Sequence, residues 1–256
     1  MIVTYSQLGK AGRCGNCLWE IASTLGLASK HQCRASFPRW EYQSKFSVPA
    51  HFFDGQPGVE ATTLPEAAHI APVHRTYLQD YSLWKDIAPT IIEYFQPSSE
   101  AKAVLYARHA DLLKTPHKTA IHVRRGDYLQ NPHIFPHCTV RYYERAMRRV
   151  LDESPETQFV LFSDDPNWCV KEIPKWMSPE IQAHAEKWIV MRGNKDWEDL
   201  FLQAECAQHV ISNSTYSYWG ATISRNPHPI YPKPWWGFPD YYESVAFPAG
   251  WIEIEC

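Results

Sequence analysis

The stretch TAIHVRRGDY, residues 119–128, decides the fold of this chain. Its first five residues carry apolar Ile121 and Val123 at alternate positions, which predicts a short buried strand. The next five residues are mostly polar and include two arginines, a glycine and an aspartate. A buried strand that runs directly into charged residues is typical of an open α/β sheet, in which ligands bind beyond the carboxyl ends of the strands.

Segments of strand and helix character alternate from this stretch onward. Further strands are predicted at TQFVLF (157–162), KWIVM (187–191), HVIS (209–212) and HPIYP (228–232). Helices are predicted between them, at residues 139–154, 166–173, 196–208 and 214–225. Because such alternation implies right-handed βαβ crossovers, we expect a mostly parallel sheet covered by helices.

The first part of the chain has a different texture. MIVTYS (1–6) predicts a strand, and a glycine turn and a helix with apolar residues at helical spacing follow it. Residues 37–72 are rich in Pro, Gly and aromatic side chains without a clear period, which predicts long loops. A helix is expected again over 98–113, capped by Ser98 or Ser99. We place a domain boundary near residue 115, which divides the chain into 1–115 and 116–256.

Composition excludes several classes of protein. The 25 Lys and Arg residues against 28 Asp and Glu give a net charge of −3, so no global basic field attracts nucleic acid or an acidic membrane. No apolar run reaches the roughly 18–20 residues that span a bilayer, and the first residues do not resemble a signal peptide. We therefore expect a cytoplasmic protein. Its seven cysteines fit reduced thiols better than a disulfide scaffold.

Polar clusters follow three of the predicted strands, at HVRRGDY (122–128), FSDDP (162–166) and ISNSTYSYWG (211–220). In a parallel sheet these strand ends lie at one edge, so we expect the clusters to line one site. Arg124 and Arg125 offer planar forks that bind phosphate; the alternative is a surface pair bridged to acids. Hydroxyls at a helix start bind anions or simply cap the helix. This applies to Ser212, Ser214, Thr215 and Ser217.

The two remaining acids and the missing motifs define the chemistry further. Asp164 and Asp165 either form a turn or cap before Pro166 or hold sugar or base hydroxyls. The chain has no GxxxxGK[ST] loop, no GxGxxG fingerprint and no Asp-x-Asp pair. Arginine side chains and the dipole of a helix would therefore neutralise the charge of a bound diphosphate. This combination indicates a metal-independent transferase that uses an activated sugar.

Four motifs in this order resemble those of α-1,2-fucosyltransferases, glycosyltransferase family 11. They are GRCGNCLWEIASTLGLA (12–28), IHVRRGDY (121–128), FSDDPNW (162–168) and DLFLQAECAQHVISNSTYSYWGA (199–221). The resemblance implies an α/β, GT-B-like fold with two Rossmann-like halves that face a central cleft. It also implies GDP-L-fucose as donor, a galactose-terminated glycan as acceptor, inversion at the anomeric carbon and no metal cofactor. The amino-terminal half would serve the acceptor and the carboxyl-terminal half the GDP-sugar; peripheral contact with a membrane stays open.

The resemblance also implies roles for single residues. Arg124 would be the essential diphosphate ligand, supported by Arg125. The β-phosphate would contact Ser214, Thr215 and Ser217, and the donor site would include Asp164 and Asp165. The amino-terminal loop, with Gly15 and Asn16, would cover the nucleotide sugar.

Three questions stay open at this stage. The general base is either His122, which shares a strand face with Arg124, or Asp127, which we prefer. The pair Cys14 and Cys17 is most simply two substitutions in a sugar-nucleotide loop, because Cys17 stands where the family has Gln; the alternative is a redox or zinc site. The alternative to an enzyme is a sugar-nucleotide or glycan-binding protein without catalysis, whose 11 Trp and 14 Tyr residues supply stacking surfaces.

Overall fold

Strands and helices alternate along the chain and form two parallel sheets. The structure is a computed structural model that describes residues 1–70, 75–185, 187–226, 228–237 and 247–256. Its strands are β1 (Ile2–Thr4), β2 (Arg34–Ser36), β3 (Val59–Glu60), β4 (Lys118–Val123), β5 (Gln158–Ser163), β6 (Ile189–Val190), β7 (Gln208–Val210), β8 (Ile230–Lys233) and β9 (Ile252–Glu255). Its helices are α1 (Cys14–Lys30), α2 (Ala88–Tyr94), α3 (Ser99–Lys114), α4 (Val140–Glu153), α5 (Pro166–Glu172), α6 (Pro179–Ala185), α7 (Asp196–Ala204) and α8 (Thr215–Ile223).

The chain divides into two units. The first contains Met1–Val104, and the second begins at Leu105 and includes Ala249–Cys256. The division falls inside α3, upstream of the boundary predicted near residue 115. Within the second unit, α3 is tied to α7 because Arg108 donates two hydrogen bonds to the carboxylate of Glu198, at 2.5 and 2.7 Å. Since the Glu198 side chain is only 1% exposed, this guanidinium neutralises a buried charge.

The first unit is built on a three-stranded parallel sheet in the order β2–β1–β3. α1 follows β1 through a turn in which Gly12 has φ +75°, a left-handed conformation that glycine adopts without strain. Most of α1 is buried, including Leu18 and Ile21. Between β2 and α2 the chain forms loops with short 3₁₀ turns, as the sequence predicts, except that Val59–Glu60 form the short strand β3. The last two residues of the predicted loop, 71 and 72, lie outside the described residues.

The second unit contains a six-stranded parallel sheet in the order β6–β5–β4–β7–β8–β9. Counted within this unit, that order is 3-2-1-4-5-6, the order of a Rossmann fold, and its direction reverses between β4 and β7. The sheet and α4 share a core of buried side chains, among them Ile121, Val123, Tyr142, Tyr143, Met147, Phe159, Leu161 and Val210. The predicted parallel sheet is confirmed. The reversal places the ligand crevice of such folds beyond the carboxyl ends of β4 and β7.

Some elements differ from the sequence-based expectation. β6 has two residues where five were predicted, and β2, β3, β9, α2 and α6 were not predicted at all. These unpredicted elements have two to seven residues, too few to display a period clearly. The predicted cap of α3 is confirmed, because the Ser98 hydroxyl accepts a hydrogen bond from the Ala101 N–H at 3.1 Å. Thr139 caps α4, which the sequence analysis did not predict. In the described part of the chain, every helix is too short or too polar to cross a bilayer.

Candidate active site

The three polar clusters meet at the carboxyl edge of the second sheet. His122, near the end of β4, has its ring Nδ1 2.8 Å from the hydroxyl oxygen of Ser212, which follows β7. Arg124, directly after β4, places Nη1 2.6 Å from Oδ2 of Asp164, which follows β5. These contacts join three strand ends around the position where the strand order reverses. The clusters therefore lie where an open α/β sheet binds its ligands.

Arg124 is held by two carboxylates and an aromatic ring. Besides its contact with Asp164, its Nη2 donates to Oδ1 of Asp127, and its guanidinium carbon lies 5.1 Å from the ring centroid of Tyr128. The side chain is 11% exposed, against 54% for Asp127. The fork is therefore rigidly placed, with its planar face against Tyr128 and both amino groups engaged.

Arg125 points toward α5. Its Nε lies 3.3 Å from Oδ2 of Asp165, and its guanidinium carbon lies 3.6 Å from the ring centroid of Trp168. Its backbone N–H donates to Oδ1 of Asp164 at 2.9 Å. Asp164 thus contacts both arginines, one through the side chain and one through the main chain.

Asp165 caps a helix. Its carboxylate accepts a hydrogen bond from the Trp168 N–H at 3.1 Å at the start of α5. The position of the Asp164 carboxylate depends on Gly126, whose φ is +22°. A Cβ at this position would lie 2.5 Å from Oδ2 of Asp164 and displace it from Arg124. The absence of a side chain at residue 126 therefore permits the ion pair.

The charged side chains of the site carry a net charge of −1. Arg124 and Arg125 contribute two positive charges, while Asp127, Asp164 and Asp165 contribute three negative ones. A further positive field comes from the start of α8, because the first N–H groups of a helix have no partner inside the helix. An anion in this crevice would compete with carboxylates for the guanidinium groups.

The loop before α8 is stabilised by hydrogen bonds to its own main-chain carbonyl groups. Ser214 occupies the cap position without a side-chain capping bond. The Ser217 hydroxyl is buried and donates to the carbonyl oxygens of Ser212 and Ser214, both at 3.2 Å. Ser217 thus shapes the loop from inside. Ser214 and Thr215 lie at the amino-terminal end of α8. In proteins that bind anions at the start of a helix, backbone N–H groups at this position bind the anion.

The two candidate bases have opposite environments. His122 is buried, and burial together with the nearby Arg124 lowers its pKa to about 3. Its ring is therefore neutral at physiological pH and hydrogen-bonded to Ser212. The Asp127 side chain is more than half exposed and contacts Arg124. Of the two candidates, Asp127 is the one that combines exposure with a position next to the Arg124 guanidinium.

Three contributors to this site escaped the sequence-based reasoning. The ring of Tyr128 packs against the Arg124 guanidinium and that of Trp168 against the Arg125 guanidinium. Asn213, which lies between Ser212 and Ser214 in the chain, is buried. All three lie inside the motifs quoted above, so the signal was present. Their partners are far apart in sequence, which is why the pattern alone did not indicate these contacts.

The CGNC pair belongs to the first unit, in the first turn of α1. Gly15 and Asn16 therefore lie in the helix and not in the loop before it. The Asn16 side-chain oxygen accepts a hydrogen bond from Gln79 at 3.2 Å. Cys14 and Cys17 are free and buried, and burial raises the pKa of the Cys17 thiol to about 12. A buried, protonated thiol does not support the redox alternative.

Comparison with known proteins gives a consistent result. The sequence model of a family described as "Glycosyl transferase family 11" matches residues 72–255. An alpha-1,2-colitosyltransferase of Escherichia coli is 30% identical over 151 residues, which are 57% of this chain and 50% of that protein. The O-antigen biosynthesis glycosyltransferase WbnK of Escherichia coli is 28% identical over 187 residues, 70% of this chain and 59% of that protein. The chain thus spans about half to three fifths of the length of these relatives.

A solved structure shares the fold. The NodZ alpha-1,6-fucosyltransferase soaked with GDP-fucose superposes with a TM-score of 0.50 at 12% identity, over 87% of this chain and 92% of that one. At this identity the likeness shows the fold alone. It confirms the predicted class, α/β and GT-B-like.

Proposed function

Because this chain belongs to glycosyl transferase family 11, we propose that it transfers L-fucose from GDP-fucose to the 2-hydroxyl of a terminal galactoside. The observation that carries the proposal is the junction of Arg124, Asp164 and the start of α8 at the switch point of a Rossmann-type sheet. Such a site suits a nucleoside diphosphate. The names of the relatives support a sugar transferase, and the α-1,2 linkage agrees with one of them.

Arg124 is the proposed ligand of the donor diphosphate. Its two amino groups already bind carboxylate oxygens in a fork geometry, and phosphate oxygens fit the same geometry. Backbone N–H groups at the start of α8, with the hydroxyls of Ser214 and Thr215, take the β-phosphate on its other side. Ser217 acts through the shape of this loop. Arg125 supports the site through Asp164 and Asp165, and no divalent cation is required.

The proposed reaction inverts the anomeric carbon in one displacement. The acceptor hydroxyl oxygen forms a bond to the anomeric carbon while the bond from that carbon to the β-phosphate oxygen breaks. The acceptor proton passes to the carboxylate of Asp127, and the negative charge of the departing GDP is stabilised by Arg124 and the helix start. Asp127 becomes available for this step when a phosphate oxygen takes its place on Arg124.

His122 fits a supporting part in this scheme. Its low pKa makes it a weak proton acceptor, and its hydrogen bond to Ser212 holds the ends of β4 and β7 together. Gly15 and Asn16 stay proposed contacts of the nucleotide sugar on the strength of the family resemblance alone. We also propose that the protein acts in the cytoplasm.

Product analysis tests this function. Purified protein is incubated with GDP-fucose and lactose or a lacto-series glycan, and the product linkage is assigned by NMR. Colitose and UDP-sugar donors belong in the same panel, because one relative is named a colitosyltransferase. Transfer from UDP-sugars only, or hydrolysis without transfer, would refute the proposal. Binding of GDP without turnover over a broad acceptor panel would instead favour a non-catalytic binding protein.

A further inference from the structure

The Asn213 side chain, beside the anion crevice, makes three hydrogen bonds. Its carboxamide Nδ2 donates to the carbonyl oxygen of Pro136 at 2.9 Å and to that of Trp235 at 3.1 Å. Its Oδ1 accepts a weak hydrogen bond from the Cys138 thiol, with sulfur and oxygen 3.6 Å apart. The side chain therefore joins three segments: the loop after β4, the chain after β8 and the residues that lead into α8.

The chemistry of these contacts requires a carboxamide. The main-chain carbonyl groups of Trp235, which is buried, and Pro136, which is half-buried, accept from it, and the Cys138 thiol donates to it. Only Asn and Gln offer two N–H donors and an oxygen acceptor on one planar group, and Gln is longer by one methylene. A carboxylate of the same shape would place negative charge against both carbonyl oxygens.

The main chain of Asn213 extends this network to Arg124. Its carbonyl oxygen accepts a hydrogen bond from the Tyr128 hydroxyl at 3.2 Å. The Tyr128 ring stacks on Phe135 with centroids 4.2 Å apart, and its centroid lies 5.1 Å from the Arg124 guanidinium carbon. Asn213 is thus connected through one ring to the arginine, and through its chain neighbours Ser212 and Ser214 to the helix start.

We propose that Asn213 is a positioning residue that fixes the start of α8 relative to Arg124. Both groups bind the same diphosphate in the function proposed above, on which this inference rests. A shift of one relative to the other weakens the donor complex and its transition state together. Asn213 itself is 2% exposed, so we assign it a positioning role and not a substrate contact.

The matched control is Asn226, which follows α8 at its other end. Its carboxamide nitrogen lies 3.2 Å from Nδ1 of His209, so Asn226→Ala also removes a side-chain amide contact in the second unit. This contact is remote from the crevice. The variants Asn213→Ala, Asn213→Ser and Asn226→Ala are compared with the wild type in steady-state kinetics, GDP calorimetry and thermal unfolding.

We expect Asn213→Ala to lower kcat/KM by about 100-fold, because misplacement by about 1 Å costs that much. The KM for GDP-fucose should rise, the KM for the acceptor should stay near the wild-type value, and GDP affinity should fall in parallel. Asn213→Ser keeps a hydroxyl that can form one hydrogen bond. Its kcat/KM should therefore lie between the values of the wild type and of Asn213→Ala. Asn226→Ala should lose thermal stability but keep its kinetic constants.

The donor KM distinguishes positioning from stability. A merely structural residue would reduce the fraction of folded enzyme and hence kcat, without raising the donor KM. If Asn213→Ala does not fold, Asn213→Ser decides, with hydrogen exchange of residues 211–218 as second readout: exchange increased there alone supports the inference. Wild-type donor KM and GDP affinity in Asn213→Ser would overturn it. A wild-type protein that neither binds nor uses GDP-fucose would overturn the proposed function as well.

Discussion

Arg124 combines low exposure with a fork that two carboxylates hold in place. We expect Arg124→Lys to lower kcat/KM by about 100-fold or more, since lysine keeps the charge but loses the planar pair of donors. Steady-state kinetics with GDP-fucose measure this loss. Arg125→Lys serves as the control and should cost less, because in the proposed function Arg125 acts on the donor site through Asp164 and Asp165.

The same electrostatic argument predicts the response to chelation. If Arg124 and the backbone N–H groups at the start of α8 stabilise the negative charge of the diphosphate, the reaction needs no divalent cation. Sugar transfer should then persist in EDTA. Activity that is lost in EDTA and restored by Mn²⁺ or Mg²⁺ would contradict this role of Arg124.

The identity of the base is testable through the pH profile. The side chain of Asp127 is exposed, whereas His122 is buried and hydrogen-bonded to Ser212, which keeps its ring away from an acceptor hydroxyl. We expect Asp127→Asn to reduce kcat strongly and to remove the acidic limb of kcat/KM. His122→Gln should retain that limb. Equal, near-normal rates in both variants would show that neither residue is the base.

At the scale of single elements, α4 depends on its cap. The Thr139 hydroxyl oxygen accepts a hydrogen bond from the Tyr142 N–H at 3.2 Å, and the helix carries Tyr142 and Tyr143 into the core of the second unit. Thr139→Ala should therefore lower the free energy of unfolding by about 1 kcal/mol. Chemical denaturation measures the change. Thr139→Ser retains the hydroxyl and should recover most of the loss.

Elements also show how far the sequence could be interpreted. Alternation of strand and helix predicted the sheet of the second unit, because each long element displays its own period. The parallel rule then brought the residues after β4, β5 and β7 to one edge. It could not indicate that Asp164 pairs with Arg124, or that the Asn213 amide binds the carbonyl groups of Pro136 and Trp235. Such partners depend on side-chain directions that are fixed only when the loops pack.

For the molecule as a whole, stability should depend on pH through Glu20 in the first unit. This carboxyl is fully buried, and burial raises its pKa from 4.5 to about 8. The folded protein therefore holds a proton that the unfolded chain releases between these two pH values. Stability should fall across this interval as pH rises, by roughly 1.4 kcal/mol per pH unit at most.

The substitution Glu20→Gln isolates this contribution. The neutral amide has nearly the same shape and no charge to bury. We expect it to raise the melting temperature at pH 8 and to change it much less at pH 5. Calorimetry at both pH values measures the difference, and an equal shift at both would contradict the assignment.

Helix α3 has a consequence for how this chain can be divided. It begins in one unit and ends in the other, and its Arg108 neutralises the buried Glu198 of α7. The sequence suggests a cut at residues 114–118, where proline and charged residues interrupt the pattern. A fragment that starts there discards Arg108 and leaves a carboxylate in the interior without its counter-ion. A fragment that contains the second sheet must therefore begin no later than Leu105, although the sequence pattern assigns residues 105–114 to the preceding part of the chain.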